Sequence, residues 1–304
     1  MKRLIVLGLL SVGGGVSIAV AAGQQPAAPS IEVEQLRENL FVLKGGGGNT
    51  AVFVASDGVV VVDTKIPGWG QPLIARIREL TPKPVTTIVN THTHGDHVAG
   101  NVDFAPPVEI VAHANTKANM EAMRVVAGAP QSAAWTNIFK ESQGRGLPTR
   151  TYTDRLTLGS GADRVDLRYF GRGHTDGDTW VVFAAHRIVH SGDIFPGKSL
   201  PLLDVNNGGT GLEIGNTLAK AAAGLGPVDG IITGHSTVMT LDDLKTYAAF
   251  NREFLDAVRA AKGAGRSVDE FVSGWTMPAT YIGYAAPAPA RLRANAEAIY
   301  KELP

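Results

Sequence analysis

The sequence predicts an α/β fold with β-sheet inside and helices outside. The order strands–helix–strands–helix occurs twice along the chain. One strand candidate, Val59-Val60-Val61-Val62, is four β-branched residues in a row, which suits a strand buried on both faces. The composition agrees: 304 residues that are 44% hydrophobic and 18% charged can bury a sizeable core, which excludes global disorder.

The chain opens on Met1-Lys2-Arg3, an apolar run over 4–20, and small residues at Ala19, Ala21 and Ala22. Charged start, apolar middle and an Ala-x-Ala end predict a signal peptide over 1–22. Gly13, Gly14, Gly15 and Ser17 weaken that run as a membrane-spanning helix, and no cysteine is present to carry a lipid. Residues 23–30, with two Pro and two Gln, read as a flexible linker, leaving 31–304 as the folded domain. The mature protein is expected to be periplasmic or secreted, with no stable membrane insertion after cleavage.

Strand material over 31–44 centres on Leu40-Phe41-Val42-Leu43 and closes on four glycines. Residues 50–55 and 59–63 flank Ser56-Asp57-Gly58, which predicts a hairpin. Leu73, Ile74, Ile77 and Leu80 recur at helical spacing and predict a helix over 71–80, ended by Pro82 and Pro84. A strand follows over 85–90, a short helix or turn from 97, a strand over 108–112 and a helix over 116–126. The tract 131–149 has no clear period and reads as an irregular segment that could overhang a site. Short strands are predicted at 156–158, 165–170, 179–183, 187–190 and 230–233. Helices are predicted at 215–224, 241–262 and from Pro289 to 303, with a further tail segment over 268–275.

Three imidazoles and a carboxylate fall within six residues in His92-Thr93-His94-Gly95-Asp96-His97, directly after the predicted strand 85–90. Such crowding costs folding energy unless a cation organises it, and neutral imidazole and carboxylate are both good Zn²⁺ ligands. Cysteine is absent, so disulfides, thiolate ligands and thiol nucleophiles are all excluded and a metal must rest on His and carboxylates. Lys+Arg and Asp+Glu are both 28, which leaves no electrostatic footprint for nucleic acid and points to a small-molecule substrate. Oligomeric state has no signature in the sequence.

Three further ligand-type residues sit at strand ends beside glycine: His174 after Gly173, Asp193 after Gly192 and His235 after Gly234. With these residues in this order, the chain resembles the metallo-β-lactamase superfamily of metal-dependent hydrolases over residues 40–235. The resemblance implies a four-layer αβ/βα sandwich with two zinc ions at one edge. His92, His94 and His174 would take one ion, and Asp96, His97 and His235 the other, with Asp193 bridging them. Solvent between the ions would be the nucleophile toward a carbonyl, and Asp96 would also orient it or carry a proton.

The other histidines have plainer readings: packing for His113 and His190, the latter with a supporting role toward the site, and a solvated turn for His186. Asp63, which closes the Val strand, either hydrogen-bonds a ligand His or caps a turn. By the same resemblance Lys198 and Asn207 fall where β-lactamases grip substrate carboxylate and carbonyl. Asp193 departs from the best-known zinc β-lactamases, which carry Cys or Ser there. An acidic bridge is typical of thioesterases, lactonases and other hydrolases. The expectation is a dinuclear zinc hydrolase of β-lactamase-like type acting on a β-lactam, lactone or other small ester or amide. Its alternative is a lactonase or thioesterase without β-lactamase activity. An iron-dependent redox protein and a non-catalytic binding protein stand behind both.

Overall fold

The structure, a computed structural model, describes residues 30–128 and 137–304. The expected signal peptide and the first part of the 131–149 tract lie outside the described residues.

Two sheets form the centre. The first runs in chain order through β1 (Glu32–Arg37), β2 (Leu40–Lys44), β3 (Thr50–Val54), β4 (Val59–Val62), β5 (Val85–Val89), β6 (Glu109–His113) and β7 (Arg150–Tyr152). Its first four strands are an antiparallel meander, and β4 to β7 are parallel. The second sheet comprises β8 (Arg155–Leu158), β9 (Val165–Arg168), β10 (Trp180–Phe183), β11 (Ile188–His190) and β12 (Gly230–Ile232). Only its β11–β12 pair is parallel.

The helices are α1 (Gly70–Leu80), α2 (Gly95–Val98), α3 (Ala114–Ala122), α4 (Ile138–Glu141), α5 (Ile214–Gly224), α6 (Leu241–Gly263), α7 (Val268–Gly274) and α8 (Pro289–Glu302). Leu73 and Ile77 of α1 pack on Val52, Val59, Val61 and Ile88, the outer face of the first sheet. Phe53, Val60, Val62, Val181 and Phe183 fill the space between the sheets. On the far side, Leu218 of α5, Phe254 of α6 and Ile299 of α8 cover Trp180, Val182, Val189 and Ile231. The result is the four-layer αβ/βα sandwich. β4 is buried on both faces because Val59 and Val61 meet α1 while Val60 and Val62 meet the second sheet. Each such burial stabilises by roughly 1.5–3 kcal/mol relative to exposure.

The differences from the sequence reading are local. The strand tract 31–44 divides into β1 and β2 at the Glu38-Asn39 turn, and the charged edge strand β7 had no apolar pattern to announce it. The helix expected over 116–126 ends at Ala122, where Met123 turns left-handed at φ 42°. Residues 123–126 then run as a loop instead. The turn expected from 97 begins earlier, at Gly95, with extended His94 as its N-cap.

Candidate metal centre

Every residue expected to bind metal arrives from a strand end or the turn just after it. The loop after β5 carries His92 and His94, and α2 carries Asp96 and His97. Past β9 comes His174, past β11 Asp193, and past β12 His235. The two sheets therefore each contribute ligands at one edge, and the side chains converge there. Donor atoms of His92, His94, His174 and Asp193 lie within 4.8 Å of one another, as do those of Asp96, His97 and His235. Asp193 joins the sets: Oδ1 is 3.1 Å from His97 Nε2, while Oδ2 is 3.1 Å from His235 Nε2 and 3.9 Å from His174 Nε2.

Hydrogen bonds behind the rings decide which nitrogen faces inward. His97 Nδ1 donates to Asp63 Oδ2 at 2.6 Å, leaving Nε2 free. His94 does the opposite, donating from Nε2 to Asp204 Oδ2 at 2.8 Å, so Nδ1 is free and 3.1 Å from His174 Nε2. His174 Nδ1 donates to the Leu202 carbonyl at 2.7 Å. His92 Nδ1 donates to Thr91 Oγ1, whose own hydroxyl donates to Asp63 Oδ2. The remaining His92 Nε2 and Asp193 Oδ1 are buried without a hydrogen-bond partner. Burying such atoms unpaired costs about 1–3 kcal/mol each, so the arrangement fits a cation that both can ligate.

The field has the same sense. Burial opposes charge on His97, yet Asp193, Asp96 and Asp63 outweigh it and hold the imidazole well above its usual range. His235, also opposed by burial, is raised to about 9 by Asp193 and Asp96. Burial would raise Asp96, but His97 and His235 bring it down to about 2. This side of the site demands positive charge. On the other side burial and neighbouring imidazoles push His92 well below its usual range, and burial with His94 takes His174 to about 4. Neutral imidazoles are the form that binds metal.

Two glycines make the approach possible. A Cβ on Gly234 would overlap the Asp193 carboxylate, and one on Gly48 would overlap the His97 ring. The buried Lys65 ammonium fixes the Gly48 loop by donating to the Leu43 and Gly48 carbonyls at 2.6 Å each. Lys65 and Asp63 both sit in the left-handed region, at φ 78° and 64°, where most side chains are strained.

A cleft of about 720 Å³ opens over the centre. Thr93, Asp96, His94, His174, Asp193 and His235 form its polar floor. Met123, Val125 and Val126 make one wall, with Leu200, Leu202, Pro196, Pro287 and Ala288 around the rest, and Arg124 and Arg291 bring the only cationic side chains other than His among the lining residues.

Lys198 is not among those lining residues. Its ammonium pairs with Asp243 Oδ1 at 2.8 Å, and the same aspartate caps α6 by accepting from Thr240. Asn207 does line the cleft, but its Nδ2 is committed to Asp204 Oδ2 at 2.6 Å, and its buried Oδ1 has no partner. His113 packs as expected, stacked on Tyr169 with ring centroids 4.3 Å apart. His190 is buried and accepts from Gly192 N at 3.1 Å, bracing the turn that carries Asp193. His186 is half-buried, edge-on to Phe53 rather than freely solvated. Asp63 takes the supporting role. Of the tract beyond 136, Phe139 packs on Val98 and Met120, and none of it lines the cleft. In the tail Trp275, Tyr281 and Tyr284 pack on Phe254, Phe250 and Tyr247 of α6.

Sequence reasoning missed Asp204. Besides His94 and Asn207, its carboxylate accepts from Ala127 N at 2.9 Å, tying one ligand to the loop that walls the cleft. Nothing in Leu203-Asp204-Val205 separates it from a surface acid. Only its burial among partners does.

A sandwich of this topology with this centre at its edge defines a metallo-β-lactamase-type protein, and the profile of the metallo-beta-lactamase superfamily matches residues 43–253. The chain belongs to that superfamily. It is 30% identical over 176 residues to the 2,4-dinitroanisole O-demethylase subunit alpha of Nocardioides sp. (strain JS1661), covering 56% of this chain and 48% of that subunit. It is 23% identical over 206 residues to the metallo-beta-lactamase type 2 of Elizabethkingia meningoseptica, covering 64% of this chain and 71% of the relative. Among solved structures, the metallo-beta-lactamase from Pontibacter korlensis superposes with TM-score 0.59 at 16% identity, covering 73% of this chain and 99% of its own. The sec-alkylsulfatase Pisa1 from Pseudomonas sp. superposes with TM-score 0.67 at 14% identity, covering 90% of this chain and 50% of its own. These two likenesses concern the fold.

Proposed function

We propose that the protein is a dinuclear zinc hydrolase that cleaves a small ester, lactone, amide or β-lactam. One observation carries the reading: seven donor residues converge as two sets, with Asp193 of one set 3.1 Å from His97 and His235 of the other, and the hydrogen bonds behind His92, His94, His97 and His174 leave the inward nitrogen of each ring free. His92, His94 and His174 would hold one ion, and Asp96, His97 and His235 the other, with Asp193 between them. Two zinc ions here would supply Lewis acidity and lower the pKa of water. Asp96 faces the cleft from the floor, where its carboxylate would orient the attacking water and take its proton. The apolar walls favour a substrate with an apolar body.

The leader pattern over 1–22 supports export to the periplasm or beyond. Among the described residues no helix is long and apolar enough to cross a membrane. A panel of β-lactam, lactone, ester, thioester and aryl methyl ether substrates, run on zinc-loaded mature protein, tests the proposal. Turnover of a carbonyl substrate that stops on chelation and returns with zinc is the expected outcome. Turnover of the aryl methyl ether alone would move the protein toward its demethylase relative. Retention of two metals with no turnover at all would make it a binding protein.

A further inference from the structure

The charges around the cleft do not balance in the way its floor does. Asp96 and Asp193 are its carboxylates, and both lie against the imidazoles of the candidate metal centre. Of the two arginines, Arg124 donates to Asn119 Oδ1 at 2.7 Å and stands exposed. Arg291 is different. It lies in the first turn of α8, beside Leu292 in the core, half-buried on the cleft wall next to Ala288 and Pro287. No side chain or carbonyl among the described residues takes a hydrogen bond from its guanidinium, and no carboxylate lies in salt-bridge range. Burial works against its charge, lowering its pKa, and Tyr247 and Asp193 are the groups whose charge counteracts that most. A half-buried guanidinium normally lies along a carboxylate or a row of carbonyls, because its five donors lose water on burial. Arg291 is one of the residues that line the cleft.

We propose that Arg291 determines specificity by binding an anionic group of the substrate, so that the protein prefers substrates with an apolar body and a single carboxylate or similar oxyanion away from the scissile bond. The fork of the guanidinium fits two oxygens at once, and its position on α8 fixes it by backbone rather than by a flexible loop. The apolar body would lie along Leu200, Leu202 and Val126. Lys198 is spoken for by Asp243 and cannot duplicate this role without breaking its ion pair. The inference rests on the hydrolase reading for what happens to the substrate, though not for its binding.

The test uses a matched pair of aryl esters, one neutral and one carrying a carboxylate on the aryl ring, with the corresponding non-hydrolysable ketones. Zinc-loaded wild type, Arg291→Lys and Arg291→Gln are compared for the ratio of kcat/KM between the esters, and by calorimetry for the ratio of affinities between the ketones. Metal content and Tm confirm that each variant is intact. Wild type is expected to favour the carboxylate in both ratios by about 10- to 100-fold, the scale of a charge-assisted hydrogen bond. Arg291→Gln should bring both ratios near one, chiefly through KM, and Arg291→Lys should keep part of the preference. A carboxylate bound by the metals instead would retain its preference in Arg291→Gln and overturn the proposal. So would ratios near one in the wild type, or failure of the carboxylate ketone to bind. If neither ester nor any carbonyl substrate of the panel is cleaved but the ketones show the Arg291-dependent preference, the hydrolase reading falls and the assignment of Arg291 stands. If the esters are cleaved without preference, the reverse holds.

Discussion

Asp63 accepts from Thr91 N at 2.8 Å and Thr91 Oγ1 at 2.7 Å while receiving the His97 Nδ1 proton at 2.6 Å. One carboxylate thus joins the ends of β4 and β5 and orients two candidate ligands, His97 directly and His92 through Thr91. Asp63→Asn keeps the size and tolerates the left-handed backbone, so it removes the charge with little else. Competition against a chelator should show metal affinity lowered by about 10- to 100-fold in that variant. Unchanged affinity would mean that Asp63 only ties strands together.

Lys65 adds a pH dependence at the same scale. Burial lowers its pKa to about 7, far below the value near 10.5 of the unfolded chain. Between those values the unfolded state binds more protons than the folded one, so stability rises with pH from about 7 to about 10 and is lost as pH falls. Denaturation of wild type and Lys65→Met at pH 7 and pH 10 should show wild type gaining on the variant at the higher pH. A constant difference would show that the ammonium stays charged throughout, held by its two carbonyls. The candidate ligand residues were legible because His-x-His-x-Asp-His is a dense local pattern. Asp204 and the Lys198–Asp243 pair were not, since each owes its place to a contact between residues far apart in sequence, and neither was Arg291, which only the fold brings to the cleft.

At the scale of elements, the turns after β5, β9, β11 and β12 decide the geometry, and glycine is what lets two of them meet. Gly234 precedes His235 and lies against the Asp193 carboxylate, where a methyl group has no room. Gly234→Ala should therefore displace Asp193 or His235 while leaving the sheets intact. Metal content below that of wild type with an unaltered far-ultraviolet circular dichroism spectrum is the expected result. Full metal content would show that the turn adapts. Strands such as β4 and the long α6 were legible from apolar period and composition. Where a boundary depended on one residue's conformation, as at Met123, periodicity carried no signal. That loss mattered, because Met123, Val125 and Val126 wall the cleft instead of extending a helix.

At the scale of the molecule, each sheet holds part of the centre, and the apolar layer between them sets how the parts meet. Phe53 of one sheet and Phe183 of the other, with ring centroids 5.4 Å apart, belong to that layer. The twice-repeated order of strands and helices made the sandwich legible, and the conjunction of His174, Asp193 and His235 made its edge the site. What the cleft accepts was not legible, because its walls are assembled from residues 93 to 291. Asp193 reaches both sets, 3.1 Å from His97 and His235 and 3.9 Å from His174. The most direct measurement is therefore the zinc stoichiometry of wild type and Asp193→Ala by elemental analysis, with turnover of the best panel substrate on the same samples. Two zinc ions per wild-type chain, with fewer in Asp193→Ala and a rate at least about 100-fold lower, is the predicted result. Two ions and undiminished turnover in Asp193→Ala would contradict a shared, catalytic two-metal centre.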